Sequence, residues 1–138
     1  MIKSKPAAPL LETLGKATQG LLFPSESDCP LTPYTFPGAK GAEPTPAALL
    51  AAEHLPGDTV VETLTVADLF EPFATAADDA SAEDKAEAAR YRAIVDLLGK
   101  ELTDLRVLRV GKVDIDVYIL GKDPTGAWIG LKTHVVET

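Results

Sequence analysis

The feature that most constrains this chain is its last third, where three apolar runs are separated by turn residues. Leu105 to Val110, Val113 to Leu120 and Ala127 to Val136 each have the length of a strand. In the middle run Val113, Ile115, Val117 and Ile119 alternate with Asp114, Asp116 and Tyr118, so one face is apolar and the other more polar. Gly111-Lys112 reads as a two-residue hairpin with Gly first, and Asp123-Pro124-Thr125-Gly126 turns the chain into the third run. Connections this short join only antiparallel neighbours, which predicts a meander. Its dry face needs a cover. Just upstream, Ser81 and Asp84 form a helix-start signal, and Ala86, Ala89, Ala93, Ile94, Leu97 and Leu98 make an apolar stripe in a helix running to Leu102. That helix is expected to lie on the meander.

The rest of the chain supplies smaller pieces. Leu10, Leu11, Leu14, Ala17, Leu21 and Leu22 recur at helical steps, with Pro9 suited to a first turn and Gly20 to an end. Prolines at 24, 30, 33, 37, 44 and 46 then forbid a long helix and leave room for an edge strand at Leu31 to Phe36. Thr45 to Leu55 reads as a short helix capped by Thr45 with Pro46 at its first position, and Val60 to Leu64 as a strand after Pro56-Gly57-Asp58. The chain has 138 residues, no internal repeat and nothing like a linker, so one α/β domain is expected.

Charge narrows the choice of partner. Lys plus Arg is 13 against 21 Asp plus Glu, a net charge of −8 at pH 7. Such a surface repels phosphate backbones and favours basic partners, which argues against direct nucleic-acid binding. Hydrophobic residues at 46% and charged residues at 25% belong to a globular chain, not a disordered one. Cys29 is the only cysteine and His54 and His134 the only histidines, so neither a disulfide scaffold nor a structural zinc site is expected. No apolar stretch approaches the ~20 residues of a membrane helix, and Lys3 and Lys5 lead into no apolar run of a signal peptide. A reducing cytoplasm is the expected location.

Catalytic patterns are missing. The chain contains no G-x-S-x-G, H-E-x-x-H or G-x-G-x-x-G. Gly126 to Thr133 touches on a phosphate loop, but its spacing is wrong and its alternation is that of a strand. Cys29 with a histidine could form a nucleophile and base, yet a lone cysteine is more often a small apolar filler. Asp114 and Asp116 share a strand face with Cβ atoms ~7 Å apart, a spacing open to two-carboxylate chemistry or a hard cation. The plainer reading is a solvated strand face, with Arg106 or Lys132 opposite. Two acidic features remain: Ser25-Glu26-Ser27-Asp28 after the first helix, and Asp78, Asp79, Glu83, Asp84 and Glu87 around the start of the long one. Acids near a helix N-terminus are favoured by its dipole, so the second group has a local explanation as well.

Two stretches carry a resemblance. Gly20 to Asp28 (Gly-Leu-Leu-Phe-Pro-Ser-Glu-Ser-Asp), and Arg109 to Thr138 with Val-Asp-Ile-Asp-Val-Tyr-Ile-Leu-Gly and the closing Thr-His-Val-Val-Glu-Thr, resemble the nuclease A inhibitor family. The helix at Ser81 to Leu102 fits the same pattern more loosely, and residues 37–65 match poorly. The resemblance implies a single-domain α-β-α sandwich of the kind likened to pathogenesis-related proteins, spanning 8–138 after a short tail at 1–7. It implies an inhibitor, not an enzyme, that plugs the active site of a sugar-non-specific DNA/RNA endonuclease of the ββα-metal class. The contacts it implies are Glu26, Asp78 (or Asp79) and Thr138, directed at the nuclease's metal surroundings and catalytic arginine. Where the family can place an aromatic after that Asp, this chain has a second acid. No cofactor of its own is implied, only the partner's Mg²⁺ at the interface of a one-to-one complex with a monomeric inhibitor. The runner-up is an acidic interaction module of the same fold that binds a different basic partner.

Overall fold

The computed structural model describes residues 7–23, 29–37 and 43–137. Helix α1 (Ala7–Thr18) opens the chain and is followed by two short strands, β1 (Leu22–Phe23) and β2 (Cys29–Pro30), which pair antiparallel. Strand β3 (Thr32–Thr35), helix α2 (Pro46–Ala52), strand β4 (Val61–Leu64) and helices α3 (Val66–Ala74) and α4 (Ala82–Glu101) come next. The meander β5 (Thr103–Val110), β6 (Asp114–Lys122) and β7 (Trp128–Val136) closes the fold. These last three strands form the centre of a five-stranded antiparallel sheet ordered β3-β7-β6-β5-β4.

Both sheet faces are covered, and the register explains how. Val107, Val117, Ile119, Ile129, Leu131 and Val135 point to one face, where they pack with Leu14 of α1, Phe70 of α3 and Tyr91, Ile94 and Leu98 of α4. Leu108, Val110, Tyr118, Leu120 and Trp128 point to the other, under Leu49 and Leu50 of α2. The architecture is the expected mixed α/β, α-β-α sandwich with a C-terminal antiparallel meander. Burying an aliphatic or aromatic side chain contributes roughly 1.5–3 kcal/mol, so the meander and its long helix carry most of the driving force.

Local chemistry sets the boundaries. Thr45, Thr65 and Ser81 cap α2, α3 and α4 by accepting from the N–H of Ala48, Asp68 and Asp84 at 3.2, 3.0 and 3.0 Å. Gly20, just past α1, has φ +74°, a left-handed position that favours glycine. The Asp123 Oδ1 accepts from the Thr125 N–H and hydroxyl and from the Ala127 N–H at 2.8, 2.6 and 3.0 Å, which fixes the β6–β7 turn. Proline-bearing β3 is an edge strand, as expected, with Pro33 paired to Leu131.

Four expectations need correction. The buried residues of α4 are Ala88, Tyr91, Ile94 and Leu98, whereas Ala86, Ala89 and Ala93 face solvent. Alanines populate both faces of this helix, and Tyr91 belongs to the core because its hydroxyl finds the Leu22 carbonyl at 2.9 Å. The β5–β6 connection is wider than a two-residue hairpin: Val110 pairs with Asp116, while Asp114 and Ile115 pair with β7 alone. Val113, expected inside, is 47% exposed beyond the end of β6, and Tyr118, on the polar face, is buried under α2. Helix α3, which holds Pro72, was not expected.

Candidate partner-binding end of the sandwich

Of the three site residues expected from sequence, Asp78 lies among the described residues; Glu26 and Thr138 lie outside them. Their chain neighbours are described, and contacts tie those on either side of segment 24–28 to α3 and β7. Phe23, the residue before segment 24–28, packs edge-on to Phe73 and Phe70 of α3 at ring distances of 4.9 and 6.0 Å. Cys29 pairs back onto Phe23, and the Thr133 hydroxyl of β7 donates to the Pro30 carbonyl at 3.0 Å. The segment that holds Glu26 is thus anchored to α3 at one end and to β7 at the other. Strand β7 continues to Val136 and Glu137, directly before Thr138.

Asp78 belongs to the exposed connection between α3 and α4. Its carbonyl accepts from Lys85 Nζ at 2.8 Å, and the Ala80 N–H donates to the Ala77 carbonyl at 3.0 Å, so the turn is held from below. Among the described residues no cation pairs with the carboxylate of Asp78, Asp79, Glu83, Asp84 or Glu87. These acids are exposed and offered to solvent.

Helix α4 holds both site segments from one side. Arg90 Nη2 donates to the carbonyls of Ala17 and Gln19 at 3.0 and 2.7 Å, at the end of α1. Tyr91 reaches Leu22, and Arg92 Nη1 donates to the Ala74 carbonyl at 2.7 Å, at the end of α3. Ala17 and Ala74 lie in the last turns of α1 and α3, where carbonyls have no intrahelical donor, so the two arginines act as C-terminal caps. Sequence reading missed this role, although Arg90, Tyr91 and Arg92 stand in one unbroken run.

The other sequence candidates sit elsewhere or are engaged. Asp114 and Asp116 do not face Arg106 or Lys132; they flank His134, whose Nδ1 lies 2.9 Å from Asp116 Oδ1 and Nε2 3.4 Å from Asp114 Oδ1. The register decides this, because Asp116 pairs with His134 while Lys132 pairs with Tyr118 and Arg106 with Leu120. The His134 pKa is raised, chiefly by the hydrogen bond to Asp116, with burial acting the other way. Arg106 instead pairs with Glu43 at 3.0 Å and lies 4.7 Å over the Trp128 ring.

A second polar network joins α2 to the sheet. Glu53 accepts from the hydroxyls of Tyr34 and Tyr118 at 3.0 and 2.8 Å, and Lys132 Nζ lies 3.6 Å from the same carboxylate. Burial, then the Glu53 hydrogen bond and charge, push both tyrosine pKa values upward, so both stay neutral donors. Gly126 to Thr133 proves to be a turn and strand. Among the described residues no group of His, Cys, Asp and Glu is placed to hold a metal ion, and no helix is long and apolar enough to cross a membrane.

The described residues on either side of segment 24–28 are thus held by α3 and β7, and the acids of the α3–α4 connection stand exposed. Residues 8–138 match the family described as nuclease A inhibitor-like protein. With nearly its whole length matched, the chain belongs to that family. Among curated proteins none matches it significantly.

Proposed function

We propose that this protein is a stoichiometric inhibitor that occupies the active-site cleft of a metal-dependent, sugar-non-specific endonuclease. The observation that carries the reading is family membership over residues 8–138. The physics of such a target fits the rest. A nuclease indifferent to sequence must recognise phosphate and backbone, so its cleft is electropositive and holds a hard divalent cation. Carboxylates presented where phosphate oxygens would sit satisfy both. Glu26 and Thr138 are directed at the surroundings of the partner's Mg²⁺, which takes oxygen ligands directly or through its waters. Asp78 pairs a catalytic arginine, best as a two-point fork. Its exposed carboxylate, which forms no ion pair among the described residues although Lys85 holds the Asp78 carbonyl, supports that role. Asp79 next to it is the substitute contact. The inhibitor needs no catalytic group of its own.

The test is a titration of untagged chain into a magnesium-dependent endonuclease of the ββα-metal class while DNA cleavage is followed. Nothing is to be appended after Thr138. We expect a break at one inhibitor per enzyme and a clear weakening by Glu26→Ala with unchanged thermal stability. No inhibition, or a Glu26→Ala variant as potent as the parent, would overturn the reading. Binding of a basic protein that chelation leaves intact would favour the acidic module in its place.

A further inference from the structure

At the corner of the sheet where β7 ends, a single arginine holds two carboxylates. Arg109 of β5 lies in register with Val117 and so projects to the face covered by α1, α3 and α4. Its Nη1 donates to Glu62 of β4 at 3.0 Å, and its Nη2 to Glu137 at 2.5 Å. β6 separates β5 from β7, so this side chain spans a strand to reach the residue that follows β7. The Glu137 N–H donates to the Val113 carbonyl at 2.9 Å. Glu137 is therefore held twice, once through its backbone and once through its carboxylate.

Exposed ion pairs contribute little to stability, and the two acids here are 57% and 56% exposed at their side chains against 19% for Arg109. What the fork does supply is direction. A guanidinium presents its N–H groups in one rigid plane, which a lysine ammonium does not. With both arms engaged, Arg109 fixes Glu137 relative to the sheet edge β4 and to the β5–β6 turn.

We propose that Arg109 is a positioning residue for partner binding: by holding Glu137 against the sheet, it sets where Thr138 is presented. This rests on the reading of Thr138 as a contact to the nuclease, and it adds the residue through which the fold aims that contact. The partner does not touch Arg109. The fork acts through Thr138.

The test combines Arg109→Met, Arg109→Lys and Glu137→Gln with a chain lacking Thr138, titrated against the same magnesium-dependent endonuclease. Amide hydrogen exchange at Glu137 gives a second readout that needs no nuclease. Arg109→Met is expected to speed exchange at Glu137 but not at β6 amides, and to weaken inhibition about tenfold. Arg109→Lys should fail to restore inhibition, because it lacks the fork. In the chain without Thr138 the same Arg109→Met change should matter less than about twofold, since coupled sites are not additive. Should Arg109→Met fold poorly, Glu137→Gln removes the charge from one arm of the fork while keeping an acceptor, and is expected to act in the same direction but more weakly. Unaltered inhibition by the variants, unaltered exchange at Glu137, or an equal loss with and without Thr138 overturns the inference alone. An unsubstituted chain that does not inhibit removes the nuclease reading, and the role of Arg109 with it.

Discussion

His134 shows how one residue can tie two neighbouring strands, β6 and β7, in a pH-dependent way. It lies between Asp116 and Asp114, with Nδ1 at 2.9 Å and Nε2 at 3.4 Å. Both partners favour the imidazolium, so the folded pKa lies above the unfolded value of about 6.5. A raised histidine pKa contributes stability that is complete below the unfolded value and is lost as pH rises through the folded one. His134→Gln should therefore lower the melting temperature more at about pH 5.5 than at about pH 8.5. Melting curves of both proteins across that range check it, and a pH-independent difference would refute it. Gly130 makes a harder demand, since a Cβ there would overlap the Ile119 carbonyl oxygen of β6. In the middle of the most extensively paired strands nothing can give way. Gly130→Ala should cost about 3 kcal/mol or more, read as a large fall in the urea midpoint or as loss of folded protein.

At the scale of elements, α4 is both a core helix and a brace. Its inner face supplies Tyr91, Ile94 and Leu98, while Lys85, Arg90, Tyr91 and Arg92 reach carbonyls on the segments before and within the candidate site. Arg92→Ala frees the Ala74 carbonyl at the end of α3 and should cost about 1 kcal/mol in stability, the usual scale of one such hydrogen bond. It should also weaken nuclease inhibition, because the connection bearing Asp78 loses an anchor; equal potency at full folding would show that the brace is structural only. Two kinds of element were legible in the sequence: those whose apolar period runs long, α1, α4 and the meander, and those that proline and cap residues delimit, β3, α2 and β4. Helix α3 carried its own signal, with Thr65 as cap and Val66, Leu69, Phe70 and Phe73 at helical steps, but Pro72 masked it. Strands β1 and β2 are too short for any period to show. The phase of α4 was misread because a mostly apolar tyrosine counted as polar and surface alanines counted as core. The expectation for Glu26 and Thr138 came from family wording alone, and both lie outside the described residues. No periodicity marks a contact whose purpose lies in another molecule, and Arg109 and Arg92 act through partners distant in sequence.

For the whole molecule, charge and shape make one argument. A net charge of −8 would draw the chain toward any electropositive cleft, whereas unpaired carboxylates at one end would decide how it docks. These two effects separate kinetically. Steering acts on the association rate and is screened by salt, while close contacts act mainly on dissociation. Between about 50 and 500 mM salt the association rate with the nuclease should fall by roughly tenfold or more, with a much smaller change in the dissociation rate. Two isoelectric variants then distinguish position from total charge. Asp78→Asn and Glu101→Gln each remove one negative charge, but Glu101 lies at the far end of α4 from the Asp78 connection. Both should slow association slightly, and Asp78→Asn alone should speed dissociation, by about tenfold. If the two variants behave alike, net charge is the whole effect and Asp78 makes no contact. If Asp79→Asn speeds dissociation and Asp78→Asn does not, the second acid has taken the role of the first.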